Sequence, residues 1–364
     1  MKICYVTHDI RRNTGSGIFA KNLADAIKIL RPSWQIDFLV TESDEIKIDG
    51  HFISINKKDI WRNFFKIRNL FREYDIIHAL DSFPYGFVVV MATLGMNKRI
   101  FITGMGSGAI FIPGNFLRNV LLKFSYKKVE NVFVASSYIL KRIKEKMPYL
   151  NIVVVNLGLG QKFLNKKVEN LDIKKPYILT VGYLKKRKGY EYSIKAFYNC
   201  LENNPELNYV IVGNPRDSIY KKEINSLVSD LGIKNKVFFY ENLKSEEMNY
   251  VYSNAKLFLL MPQEVYNDVE GFGMVYLEAA SYGLPIVGSI GSSASDAVLD
   301  KKNGFLVPSK DVNAITSALN KILNDKDLLE RFSNESKRFA SIMTWEKTAK
   351  EYLKYYERLD NSKI

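Results

Sequence analysis

Short apolar runs alternate with amphipathic stretches along the whole chain, in two successive series. In the first series the runs 2–7, 34–40, 50–55, 74–81, 99–103, 132–137 and 152–158 read as strands. They are short and apolar, as strands buried on both faces of a parallel sheet are. Between them 18–30, 57–72, 116–128 and 138–146 carry apolar residues at helical spacing. The second series opens with a strand at 177–181 and continues with strands at 207–213, 236–240, 256–261 and 303–307. Its helices fall between 190 and about Leu201, near 219–231 and near 245–254. Another follows Asp311 as far as Leu323, and a last amphipathic one covers 345–356. Two βα series predict an α/β protein of two doubly wound, Rossmann-like domains with a cleft between them. The expected division is 1–168, 169–344 and a closing helical segment 345–364, with the charged stretch up to Lys175 as the hinge.

Composition narrows the class. Apolar residues make up 47% and charged residues 25%, which describes a globular chain. No apolar run reaches the roughly 18 residues a membrane span needs. The first residues turn polar too soon for a signal peptide, so a cytoplasmic location is expected. Cys4 and Cys200 are too few for a disulfide framework, and His8, His51 and His78 form no metal-binding cluster.

The net charge of +14 is uneven. Residues 1–168 hold 26 Lys and Arg against 13 Asp and Glu, while 169–364 hold 27 against 26. A basic half calls for an anionic partner: nucleic acid, anionic lipid or a phosphorylated acceptor. No nucleic-acid module is recognisable, so nucleic acid is not expected. The stretch 57–72 sets Ile60, Trp61, Phe64, Phe65, Ile67, Leu70 and Phe71 at helical spacing among Lys57, Lys58, Arg62, Lys66, Arg68 and Arg72. It reads either as a helix on the sheet with a solvated basic face or as one docking on an anionic membrane. The second reading assigns the contact to Lys57, Lys58, Trp61, Arg62, Phe65 and Lys66.

Candidate chemistry gathers at four loops. Gly15, Ser16 and Gly17 follow the first strand and open a helix, a layout that suits a phosphate and equally a tight turn. Strand 74–81 ends in polar groups, which makes His78 and Asp81 candidates, with a structural histidine as the plain alternative. Lys185, Lys186, Arg187 and Lys188 stand between a strand and a helix, well placed for a diphosphate or simply solvated. Glu270 and Glu278 stand eight positions apart around Gly271, Phe272 and Gly273, where an apolar helical run begins. Such amides suit an anion, and the carboxylates can accept from sugar hydroxyls.

The run from Glu270 through Glu278 to Val287 resembles the E-x7-E region of retaining family-4 glycosyltransferases of the bacterial polysaccharide and lipid-linked oligosaccharide type. The resemblance covers nearly the whole chain and is strongest over 177–307. It implies the GT-B fold, with an acceptor domain first and a nucleotide-sugar domain second. It implies that Glu270 faces the donor sugar, Glu278 the ribose, and Gly271–Gly273 the sugar and diphosphate. Gly15, Ser16 and Gly17 would face the donor phosphates. Lys188 matches the lysine of the family's G-R-x(4 or 5)-K-G pattern, but its arginine position is Tyr183, which carries no charge at neutral pH. Lys185, Lys186 or Arg187 would have to compensate. The family's H-x-H-[DE] leaves His78 but puts Leu80 at the second histidine, and Ser292-Ser293 replaces a glycine pair. The loop 104–108 resembles an acceptor loop of the same branch.

The function implied is retaining transfer of a sugar from a UDP- or GDP-type donor to a lipid-linked or polysaccharide acceptor at the inner membrane face. Glu270, Lys188 and His78 are its candidate catalytic residues, Arg187 assists at the donor, and neither a metal nor another cofactor is expected. Two alternatives remain open: a transferase with a soluble acceptor, and a non-catalytic membrane-associated partner subunit.

Overall fold

The computed structural model describes residues 1–11, 14–40, 52–54, 62–160 and 169–358. The chain divides into two compact units, Met1–Gly158 with Thr344–Ile364, and Leu159–Met343.

Unit 1 is built on a seven-stranded sheet in which every pairing is parallel. Its strands are β1 (Lys2–Thr7), β2 (Gln35–Val40), β3 (Phe52–Ser54), β4 (Ile76–Ala79), β5 (Arg99–Gly104), β6 (Asn131–Val134) and β7 (Ile152–Val154), in the order β3-β2-β1-β4-β5-β6-β7. Helices α1 (Gly15–Leu30), α2 (Phe64–Phe71), α3 (Phe87–Thr93), α4 (Phe116–Lys127) and α5 (Ser137–Lys144) connect them. Unit 2 has a six-stranded sheet, again all parallel, in the order β10-β9-β8-β11-β12-β13. These are β8 (Tyr177–Val181), β9 (Asn208–Val212), β10 (Val237–Tyr240), β11 (Phe258–Leu259), β12 (Ile286–Ser289) and β13 (Gly304–Val307). Helices α6 (Tyr190–Cys200), α7 (Ser218–Asp230), α8 (Ser245–Asn254), α9 (Met274–Ser281), α10 (Val312–Leu323) and α11 (Lys326–Ile342) belong to it. The last helix, α12 (Trp345–Tyr356), belongs to unit 1.

Local chemistry fixes the helix starts. Thr14 caps α1 by accepting from the Gly17 amide, Asp311 caps α10 from Ala314, and Asp325 caps α11 from Leu328. No described helix is long and apolar enough to cross a membrane.

Helix α12 packs on α1 and on one face of the unit 1 sheet, and His78 is the knot that ties it there. His78 is completely buried. Its Nδ1 bonds the Tyr356 hydroxyl, and its Nε2 bonds Thr103 Oγ1 at 2.8 Å. Thr103 Oγ1 continues to the Tyr352 hydroxyl at 3.1 Å. Rings of Tyr5, Phe101, Phe133, Tyr352 and Tyr356 surround the imidazole at 5.6 to 5.9 Å. This corrects the expected catalytic role: with no exposed surface and both ring nitrogens engaged, His78 cannot meet a substrate. At the end of α12, Arg99 donates to the Tyr355 and Tyr356 carbonyls, which answers two open acceptors of the last turn.

Burial pushes the His78 imidazole down to about 3, against 6.5 for the free ring. Between those values the unfolded chain binds more protons, so stability falls as pH drops from about 6.5 towards 3. The expected loss is about 1.4 kcal/mol per pH unit in that window. Urea midpoints compared between neutral pH and about pH 5 should show this slope in the wild type and its absence in His78→Gln. A slope shared by both chains would assign the titration to another group.

Candidate active site

Each sheet reverses its strand order once, between β1 and β4 in unit 1 and between β8 and β11 in unit 2. In open parallel sheets ligands bind beyond the carboxyl ends of the strands at such a reversal. In unit 2 the loops 182–189 and 260–273 leave the sheet at that point.

The first loop passes Lys185 into a single 3₁₀ turn, Lys186–Lys188, ended by Gly189 at φ 68. Glycine is required there, because a Cβ would come within 2.1 Å of the Met261 carbonyl oxygen. Lys185, Arg187 and Lys188 turn their side chains to the second loop. Lys188 Nζ lies 2.7 Å from Glu270 Oε2, and Arg187 Nη1 bonds the same oxygen. Arg187 Nε is 3.2 Å from Asp268 Oδ2, and Lys185 Nζ is 4.0 Å from it. The loops are also tied by backbone, with the Gln263 amide donating to the Arg187 carbonyl at 2.8 Å.

Lys188 is only 5% exposed. Burial pushes its ammonium below the usual lysine range, and Glu270 partly restores it. For Glu270 burial pushes upward, but Lys188 and Arg187 together outweigh it and bring the carboxyl down to about 2. The result is an ionised carboxylate held between two cations.

After Glu270 the chain turns through Gly271 and Phe272 to Gly273, whose φ of 78 places it in the left-handed region and starts α9. The Phe272 side chain is buried, so its backbone is what a ligand could meet. Glu278 lies in the second turn of α9, where Oε2 accepts from the Tyr252 hydroxyl at 2.9 Å. Tyr252 stacks on Tyr282 at 5.2 Å between ring centroids, and the Tyr282 hydroxyl donates to Asn249.

The structure thus gathers Lys188, Arg187, Glu270, the Gly271–Gly273 backbone and, further along α9, Glu278 in one part of unit 2. Gly15, Ser16 and Gly17 form the first turn of α1 at the reversal of unit 1. Gly17 is set by packing, since a Cβ would lie 2.0 Å from the Arg11 carbonyl oxygen, and its amide donates to Thr14. Gly15 faces open space. Of the proposed membrane contacts, Arg62, Phe65 and Lys66 are exposed at or beside α2, while Lys57, Lys58 and Trp61 lie outside the described residues. The Ser292-Ser293 departure builds its own turn: Ser292 Oγ accepts from the Ala294 amide at 3.1 Å and bonds Ser289 Oγ at 2.9 Å.

Sequence reasoning missed Asp268, Gln263 and Tyr252, which fasten the cluster. Asp268 sits in a polar loop whose only signal was its two-residue spacing from Glu270. Within the amphipathic stretch 116–128 nothing singled out Arg118. Arg118 turns inward, donating to the carbonyls of Ser107, Gly108 and Ile110 and so fastening the glycine loop of unit 1. Among the described residues no three His, Cys, Asp or Glu side chains gather as a metal site requires.

Known proteins share this organisation. Residues 161–339 match the family described as Glycosyl transferases group 1. An uncharacterized glycosyltransferase of Methanocaldococcus jannaschii is 24% identical over 318 residues, covering 86% of this chain and 83% of that protein. A GDP-mannose-dependent alpha-(1-6)-phosphatidylinositol monomannoside mannosyltransferase of Mycolicibacterium smegmatis is 34% identical over 154 residues. That match spans 42% of this chain and only 39% of the mannosyltransferase. The crystal structure of Anabaena HepE in complex with UDP superposes with a TM-score of 0.82 at 16% identity, covering 99% of this chain and 100% of HepE. The two-sheet architecture is that of the GT-B glycosyltransferases, and over residues 161–339 the chain carries a Glycosyl transferases group 1 domain of the family-4 type.

Proposed function

We propose that the chain is a retaining glycosyltransferase that moves a sugar from a nucleoside-diphosphate sugar to a hydroxyl of a lipid-linked or polysaccharide acceptor. The observation that carries this reading is the Lys188–Glu270–Arg187 cluster, in which Lys188 is buried and its two partners are mostly covered, at the strand-order reversal of unit 2. A donor of this kind needs cations for its diphosphate and acceptors for its hydroxyls, and the cluster holds both. As the sugar–oxygen bond breaks, negative charge grows on the diphosphate, and Lys188 and Arg187 stabilise it in place. Glu270 favours the charged form of Lys188 in the resting site, then accepts from a hydroxyl of the bound sugar. It positions the sugar rather than attacking it, in keeping with a front-face step and retained anomeric configuration. Glu278 accepts from the ribose. The cations and the Gly271–Gly273 amides do the work of a metal, so turnover should survive a chelator. The GDP-mannose donor of the mycobacterial relative and the UDP of HepE support a nucleotide donor.

The lipid-linked acceptor is supported by unit 1. Phe116, Leu117 and Val120 are 81%, 67% and 45% exposed along one side of α4. Lys123 and Lys127 continue that side, and Lys128 follows it. Helices α2 and α4 both pack on α3, and α2 adds exposed Phe65 beside Lys66. Exposed apolar side chains flanked by lysines fit an anionic bilayer surface. The phosphatidylinositol-based acceptor of the mycobacterial relative is of that kind. The reading places the enzyme peripherally on the cytoplasmic face of the membrane.

A thermal-shift panel of UDP, GDP, ADP and CDP should raise the melting temperature with one diphosphate. In Glu278→Ala the shift should shrink, and a 2′,3′-dideoxy analogue should then bind as well as its parent. Lys188→Met should fold and lose turnover by about a hundredfold or more. Normal turnover by that variant would remove Lys188 from the donor site. In flotation assays the chain should follow anionic vesicles, detach as salt rises, and stay behind in a Phe116→Ser/Leu117→Ser/Val120→Ser variant. Equal recovery on neutral vesicles would refute the anionic surface.

A further inference from the structure

The pairing of β8 with β9 continues past the ends of both strands. Leu184 bridges Pro215, the Leu184 amide donates to the Asn214 carbonyl at 3.1 Å, and the Arg216 amide donates to the Leu184 carbonyl at 3.4 Å. Gly213 makes the close approach possible, since a Cβ there would lie 1.8 Å from the Gly182 carbonyl oxygen. Arg216 is pinned from its other side as well. The next residue, Asp217, caps α7 by accepting from the Ile219 and Tyr220 amides at 3.0 and 3.1 Å.

So held, Arg216 lays its guanidinium over the Tyr183 ring, 4.3 Å from the centroid. Tyr183 follows Gly182, and Gly182 adjoins Lys188: a Cβ on Gly182 would stand 3.5 Å from Lys188 Nζ. Two further facts make Arg216 different from the other cations of this region. Arg187 and Lys188 each face Glu270, whereas Arg216 forms no ion pair among the described residues. A guanidinium seated over a ring also keeps N–H donors around its rim, and a pair of them can donate to two oxygens of one anion.

We infer that Arg216, stacked on Tyr183, is a further cation of the donor diphosphate subsite. It supplies from the loop after β9 the charge that position 183 lacks. This inference rests on the donor-site reading above. In this arrangement Tyr183 is a positioning residue. Its ring restricts the rotamers of Arg216, so less freedom is lost when a phosphate binds.

Calorimetric titration of the full chain with UDP and UMP, and with GDP and GMP, tests it. In Arg216→Gln the diphosphate that binds the wild type should weaken by about tenfold or more, the scale of one charge-assisted contact. The matching monophosphate should bind as before, because only the second phosphate has lost a partner. Tyr183→Arg/Arg216→Gln should recover most of the diphosphate affinity, and Tyr183→Ala should lose part of it. Undiminished diphosphate binding by Arg216→Gln, or equal weakening of mono- and diphosphate, overturns the inference and leaves the donor site standing. A wild type that binds neither diphosphate overturns the donor-site reading and this inference together. Arg216 is exposed, and an unchanged circular dichroism spectrum would show that the variants fold.

Discussion

A carboxylate removed from water must be met by cations, and Glu270 is met by two. Desolvating three charged groups costs several kcal/mol per ion, and their attraction repays this only when the geometry is good. Breaking such a cluster from one side costs about 3–5 kcal/mol, whereas replacing it whole by apolar residues is often neutral. The arrangement is therefore a poor way to gain stability alone. It is a good way to hold charge ready in a largely covered site, where an incoming anion can exchange with Glu270 for the same cations.

The parallel sheet makes that arrangement possible. The strand order of unit 2 reverses at β8 and β11, so the loops after these two strands leave side by side. Lys188 comes from one and Glu270 from the other, 82 residues later in the chain. Gly189 and Gly273, both left-handed, bend each loop to its partner. Backbone geometry thus sets the distance between the charges, and the side chains need only be long enough to close it.

Where a local signal was complete, the sequence was legible. Strand β8 and helix α12 occupy the residues that their apolar patterns pick out, because Pro176 with Gly182 and the Thr344 cap mark their ends. Helix α3 was not anticipated, since its run of Phe, three Val and Met is apolar on every side and gives no period. Strand β12 was hidden for the opposite reason: Ile286 and Val287, between Pro285 and Gly288, are too short an apolar run to announce a strand. Helix α11 had its signal, the Asp325 cap followed by Leu328, Phe332 and Phe339, but went unread. Motif spacing picked out Lys188 and Glu270 as candidates, although their contact belongs to the fold. His78 was misread because its partners Tyr352 and Tyr356 lie more than 270 residues away, and no local pattern announces them. The stacking of Arg216 on Tyr183 was invisible for a related reason: the two loops meet only when β8 and β9 pair.

The helix that closes unit 1 is encoded after the whole of unit 2. Tyr352 and Tyr356 line the His78 core, and the Thr348 hydroxyl donates to the Asn156 carbonyl at 2.9 Å. During synthesis, therefore, the sheet of unit 1 leaves the ribosome with one aromatic face uncovered. It must wait through some two hundred residues for its own last element. Unit 2, an uninterrupted segment, has every strand it needs before that helix is made. The order of completion on the ribosome is then the reverse of the order along the chain.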